Sequence, residues 1–186
     1  MLILASNSPR RKELLAQIGV ACEVIPGTYA EDVPGRDNPE KFVDIQAAGK
    51  AASVALRYPD HWVLGAATVV AADGKILGKP RHEAEAVRML AGLSGRSHAV
   101  YTGVALQKGD VVYRHVEKTI VTFRTLGEEE ISAYVASGEP MDKAGAYGIQ
   151  GKGAVFVERI DGDYANVVGL PLCAVYRLMR NAGIAV

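Results

Sequence analysis

The chain has 186 residues, 49% of them hydrophobic, with 21 basic and 21 acidic side chains and a net charge of zero. That length suffices for one well-buried core, so a single domain over residues 1–186, or one domain with a small lobe, is expected. A balanced charge gives no general field for a nucleic-acid polymer or a membrane surface, so any anion affinity must come from local clusters.

Leu2 to Ala5 reads as a short buried strand, and Ser8-Pro9 supplies an N-cap and first helical residue for a helix running to about Gly19. No basic segment precedes this start, and no apolar run approaches the roughly 18 residues that cross a bilayer, so a soluble, cytoplasmic protein is expected. A short strand at Cys22 to Ile25 leads into PGTYAEDVPGRDN, a loop rich in turn formers that ends in a second cap pair, Asn38-Pro39. The helix that follows, to about Tyr58, carries Phe42, Ile45, Gly49, Ala52 and Leu56 at core spacing, with Gln46, Lys50, Ser53 and Arg57 on a polar face.

WVLGAATVVAADGKILGKP, residues 62–80, is a buried strand turning at Asp73-Gly74, a strong hairpin signal. A helix near Glu83 to Leu90 precedes two long strands, about His98 to Gln107 and Val111 to Phe123. Glu128 to Ser137 is a helix with an acidic first turn, closed by Gly138. After a glycine-punctuated loop, DKAGAYGIQGKGA, come a strand at VFVERI, a turn at Asp161-Gly162 and a helix from Pro171 to about Gly183. Strands and helices mix without repeats, which predicts one α/β or α+β domain. The two cysteines, Cys22 and Cys173, lie in apolar stretches without metal or redox spacing and are expected as buried free thiols.

Chemistry concentrates at a few places. In SNSPRR, free N–H groups at a helix start, the Ser6 and Ser8 hydroxyls and the Arg10 and Arg11 guanidinium groups make a candidate polyphosphate cradle. The plainer alternative is a solvated basic turn. Glu31 and Asp32 could hold a hard cation such as Mg²⁺ or Mn²⁺, or stand solvated on the surface. Lys50 and Lys79 are ordinary surface lysines unless they converge with the arginines on a triphosphate. In DKAGAYGIQG the glycines permit close backbone approach to a ligand, and Gln150 offers an amide to a base edge; Asp142 and Lys143 can pair with each other. No Walker A motif is present, which argues against a P-loop ATPase.

Taken in order and spacing, SNSPRRKELL, VLGAATVV with GKP, LSGRSHAVYTGVAL, DKAGAYGIQG and GDYANVVGLP resemble the Maf family of nucleoside triphosphate pyrophosphatases over nearly the whole chain. The resemblance implies a fold like that of the inosine triphosphate pyrophosphatases, with helices flanking a mixed sheet and a central cleft. It also implies hydrolysis of a nucleoside triphosphate to the monophosphate and pyrophosphate with a divalent metal, Mg or Mn, commonly in a homodimer. By the same resemblance Ser6, Ser8, Arg10 and Arg11 form the phosphate-binding turn, Lys50 and Lys79 are the substrate-region lysines, and Glu31 belongs to the metal and substrate region. Arg10, Thr68 and Gln150 take the places associated with base selection and point to the branch acting on dTTP and UTP.

One position departs. The family's strand reads G-A-D-T with the Asp as proton acceptor, and this chain has Ala67 there. A methyl group accepts no proton and binds no metal, and loss of general-base assistance costs about 10² to 10⁴ in rate. The reading adopted is a working enzyme inactivated at position 67, with nucleotide binding retained. The alternatives are a non-catalytic nucleotide-binding protein, an active enzyme using Glu31, Asp32 or metal-bound hydroxide as base, and a septum-regulating role of the kind implied for some relatives.

Overall fold

The computed structural model describes residues 1–30 and 38–186. Along the chain run β1 (Leu2–Leu4), α1 (Pro9–Gln17), β2 (Cys22–Val24), α2 (Pro39–Ala55), β3 (Trp62–Ala72), β4 (Lys75–Leu77), α3 (Glu83–Leu93), β5 (Ser97–Lys108), β6 (Val111–Phe123), α4 (Glu128–Ala136), β7 (Val157–Asp161), α5 (Tyr164–Val168) and α6 (Leu172–Asn181). Among the described residues the strands form one sheet in the order β2-β1-β3-β5-β6-β7, with β4 added to β3. β1 runs parallel to β2 and β3, and the remaining pairs are antiparallel. The expected mixed sheet flanked by helices is therefore what forms.

β3 organises the molecule. One of its edges is covered by β5 from Val63 to Ala71. The other is shared: β1 covers Trp62 to Leu64, and β4 covers Val70 to Ala72. The edge forks between them, because β1 turns away after Ala5 N–H donates to the Leu64 carbonyl at 2.9 Å. Asp73 and Gly74 hold the β3–β4 hairpin with φ of 51° and 69°, the left-handed conformation the Asp-Gly signal anticipates.

α2 begins as expected, with Asn38 Oδ1 accepting from Glu40 N–H at 2.9 Å and from Lys41 N–H at 3.4 Å. Its buried face differs from the one expected. Val43, Gln46, Ala47, Ala51, Val54 and Ala55 point inward, while Ile45 and Leu56 are 44% and 84% exposed. The sheet below explains the rotation. A Cβ on Gly65 would sit 2.4 Å from the Ala47 carbonyl oxygen, and one on Gly103 would sit 2.3 Å from that of Val43. The helix backbone lies directly on two glycines of paired strands, and only its small residues fit that approach. Val63, Ala67 and Val69 complete the core on this side.

On the opposite face Leu2, Leu4, Leu64, Ala66, Val104 and Leu106 pack against Leu14 and Leu15 of α1 and Val175 and Met179 of α6. A third cluster, around Phe123, Tyr134, Tyr147 and Phe156, closes the end carrying α3 and α4. Both cysteines are free, but Cys173 is exposed and Cys22 only half-buried, against the expectation of burial. α6 turns Ala174 and Val175 inward, which leaves Cys173 on its outer side. The strand expected from Val155 starts at Val157, preceded by a 3-10 turn over Lys152–Phe156 that leaves Val155 outside. Among the described residues no helix is long and apolar enough to cross a membrane.

Candidate active site

The fork in the edge of β3 opens into a cleft of about 790 Å³. Ser6, Ser8, Arg10 and Arg11 reach it from the β1–α1 turn, Lys50 from α2, Ala67 and Thr68 from β3, Lys79 from the segment after β4, and Gln150 from the glycine loop. These residues are up to 144 positions apart in the chain, being 6 and 150 at the extremes, and one concavity collects them. Glu31 and Asp32 lie outside the described residues.

The turn from β1 into α1 brings two hydroxyls, two guanidinium groups and the start of a helix together. Ser8 is the N-cap of α1 with Pro9 at the first helical position, and its side chain makes no capping bond. The Ser8 hydroxyl therefore does not occupy the amides at the start of this helix. Ser6 Oγ accepts from Ser8 N–H at 3.2 Å and from Arg11 Nη1 at 3.0 Å. The two arginines have separate environments. Arg11 is buried and donates from Nε to the Gly169 carbonyl at 2.8 Å and from Nη2 to Thr68 Oγ1 at 3.1 Å, so it ties the turn to β3 and to the end of α5. Arg10 stands at the cleft mouth and donates from Nη1 to Asp142 Oδ2 at 3.0 Å, spanning the opening.

Thr68 belongs to a buried polar chain. Its hydroxyl lies 2.9 Å from that of Thr102, which donates to the Asn166 carbonyl at 3.2 Å. Asn166 Nδ2 donates to the Val100 carbonyl at 3.1 Å and to Thr119 Oγ1 at 2.9 Å. α5, which the sequence reading did not anticipate, is capped by Asp163 Oδ1 accepting from Asn166 N–H at 3.2 Å, and it delivers Asn166 to this chain. The signal was present in Asp163-x-x-Asn166, an Asp three residues ahead of a helical amide.

The far wall comes from residues 139–151. Asp142 accepts from Lys143 Nζ at 2.7 Å as well as from Arg10, so the anticipated Asp142–Lys143 pair forms with a further partner. Burial pushes the Asp142 carboxyl up, and the bonds from Lys143 and Arg10 outweigh it and hold the group at about 2. Tyr147 is buried, and its hydroxyl lies 2.8 Å from His98 Nε2. Among the described lining residues Arg10, Arg11, Lys50, Lys79 and Lys143 face only Glu139 and Asp142 as carboxylates, so the cleft is locally cationic in a neutral protein.

Ala67 is 6% exposed on the cleft floor, beside Ala66, whose carbonyl Lys50 Nζ reaches at 3.5 Å. Among the described residues no group of three or more His, Cys, Asp or Glu side chains is placed to hold a metal ion. Glu139 and Asp142, the described carboxylates of the cleft, are both engaged by protein donors. The expected divalent cation thus finds no ready ligand set among them. Gln46, expected on the polar face of α2, is 2% exposed and lines the cleft, because α2 is rotated from the expected stripe.

Residues 1–182 match the Maf family, described as Maf-like protein. The dTTP/UTP pyrophosphatase of Bacillus cereus (strain AH820) is 52% identical over 185 residues, covering 100% of this chain and 97% of that protein. The dTTP/UTP pyrophosphatase of Symbiobacterium thermophilum is 51% identical over 182 residues, covering 98% and 94%. Among solved structures the Staphylococcus aureus Ham1 protein is similar over 97% of this chain and 98% of its own, with a TM-score of 0.49 and 12% identity. Matched to the family almost from end to end, and half identical to full-length relatives that bring no extra domain, the chain belongs to the Maf family.

Proposed function

We propose that this chain is a nucleotide pyrophosphatase by architecture, with a cleft that takes dTTP or UTP and divides it into the monophosphate and pyrophosphate. The observation that carries this reading is the convergence of Arg10, Lys50, Lys79 and the open start of α1 on one cationic cleft at the fork of β3. The names of relatives half identical over the full length support it. In the reaction, water adds to the α-phosphorus and the bond to the pyrophosphate oxygen breaks. Negative charge grows on the departing pyrophosphate, and lysines and helix-start amides held in place stabilise it without reorganising. A divalent metal, expected from family membership, would neutralise phosphate charge.

The proton released by the attacking water needs an acceptor. Ala67 supplies none, and the described cleft carboxylates are committed to other donors. We therefore assign to Ala67 a strong impairment of the chemical step with nucleotide binding retained. Ala67→Asp is expected to raise pyrophosphate release from dTTP or UTP by at least about a hundredfold, the low end for general-base assistance, with a much smaller change in dTTP affinity by calorimetry. Equal rates for the two proteins overturn the role given to position 67. A second reading, a nucleotide-binding protein without turnover, is favoured by that same alanine; it predicts tight dTTP binding and no turnover in the Ala67→Asp form with any metal.

A further inference from the structure

Gln150 is exposed at the cleft, and among the described residues no hydrogen bond holds its side chain. Its amide offers an NH₂ donor group beside a carbonyl acceptor, which suits the adjacent N–H and carbonyl edge of thymine or uracil. With no contact fixing the side chain, the place of that amide is set by the backbone that carries it.

That backbone is held at both ends by one pair of side chains. Tyr134 of α4 is buried, with its ring edge-on to Phe156 at 4.8 Å between centroids. Its hydroxyl accepts from Gly148 N–H at 3.1 Å and donates to Glu139 Oε1 at 3.0 Å. Glu139 in turn accepts from Lys152 N–H at 3.0 Å through Oε2 and from Gly153 N–H at 3.4 Å through Oε1. The segment between the clasped ends puts Ile149 into the core and Gln150 at the cleft. The carboxylate lies so close to the loop that a Cβ on Gly151 would stand 2.4 Å from Glu139 Oε1. Burial pushes the Glu139 carboxyl up, but the loop amides and the Tyr134 hydroxyl draw it below the usual range, so it stays a charged acceptor.

We propose that Tyr134 and Glu139 are positioning residues for base recognition, clasping residues 148–153 so that the Gln150 amide meets the base of the bound nucleotide. The proposal rests on the pyrimidine reading of the cleft given above. The clasping bonds go to the Gly148, Lys152 and Gly153 amides rather than to the Ser6–Arg10 turn, and Lys143 Nζ donates at 2.7 Å to the backbone carbonyl of Glu139, an atom that neither Tyr134→Phe nor Glu139→Gln removes, so the clasp bears on the base and not on the phosphates.

The test is calorimetric binding of dTTP, dGTP and inorganic triphosphate to this chain and to its Tyr134→Phe and Glu139→Gln variants. The unsubstituted chain is expected to prefer dTTP over dGTP. Both variants are expected to lose about tenfold of that preference, the equivalent of one hydrogen bond to a charged group, while triphosphate affinity holds within about twofold. If Glu139→Gln does not fold, Tyr134→Phe carries the test, because its ring keeps its packing on Phe156. A preference retained in the folded variants overturns the clasp and leaves the pyrimidine reading standing. Equal losses for dTTP and triphosphate also overturn it, since they mark a general loosening. No preference in the unsubstituted chain overturns both.

Discussion

Neighbouring residues in a helix point about 100° apart, and Arg10 and Arg11 show what that does to two identical side chains. Arg11 is buried, with its donors directed at Gly169, Ser6 and Thr68; Arg10 makes one ion pair at a partly solvated opening. Arg11→Lys is expected to lower unfolding free energy by about 1.5–3 kcal/mol, because an ammonium cannot reproduce a planar fork reaching three acceptors. Arg10→Ala breaks a pair whose side chains are 25% and 60% exposed and should cost at most about 1 kcal/mol. Denaturant titration ranks the two, and triphosphate binding should reverse the order, with Arg10→Ala the more damaging. The repeated arginine was legible in the sequence as an anion signal. Which one faces the ligand was not, because that depends on where β3 and the Gly169 carbonyl lie.

At the level of elements, the cap of α2 and the β3–β4 turn were read correctly from local signals, while the Asp163 cap of α5 and the distant determinants were missed. Asn38 caps α2 and Asp73-Gly74 turns the hairpin, because each is a contract between residues a few positions apart. The inner face of α2 was misread because Gly65 and Gly103, which select it, are far along the chain and invisible to helical periodicity. Gly65→Ala tests that account. The added methyl would meet the Ala47 carbonyl oxygen at 2.4 Å, a backbone atom that cannot swing aside. Stability is expected to fall by about 1–3 kcal/mol or more as α2 lifts. Lys50 rides on that helix, so dTTP affinity should fall with it; unchanged stability in a denaturant titration would count against the close packing.

For the molecule as a whole, the buried end around His98 makes stability depend on pH. His98 lies against Phe123 and Tyr147, with ring centroids 4.9 and 5.4 Å away. Burial pushes its imidazole from the usual 6.5 down to about 4. The unfolded chain therefore takes up a proton first as pH falls. The stabilisation is fully present above about pH 6.5 and is lost between there and pH 4, for a total of about 3 kcal/mol. Unfolding free energies at pH 7.5 and 4.5 should show most of this loss in the present chain and much less of it in His98→Gln, which keeps a polar group toward Tyr147 without titrating. The mixed sheet and the gathering of Ser6, Arg10, Lys79 and Gln150 at one cleft were legible through the family resemblance that SNSPRR, GKP and DKAGAYGIQG carry. The Tyr134–Glu139 pair and the Thr102–Asn166 chain were not, since each joins polar residues that look unremarkable alone.

The forked edge of β3 has a consequence for solubility as well. Unpaired strand edges are where sheets of different molecules fuse. Here the uncovered length runs only from about Gly65 to Val69, with β1 standing at one end and β4 at the other. At roughly 3.3 Å per residue that window is about 16 Å long and closed at both ends, so a strand pairing there could extend no further than the gap. A small ligand fits a gap of that length whole, whereas an extended polypeptide would meet β1 or β4 at either end, which limits the aggregation risk that an open strand edge at the centre of a sheet usually carries.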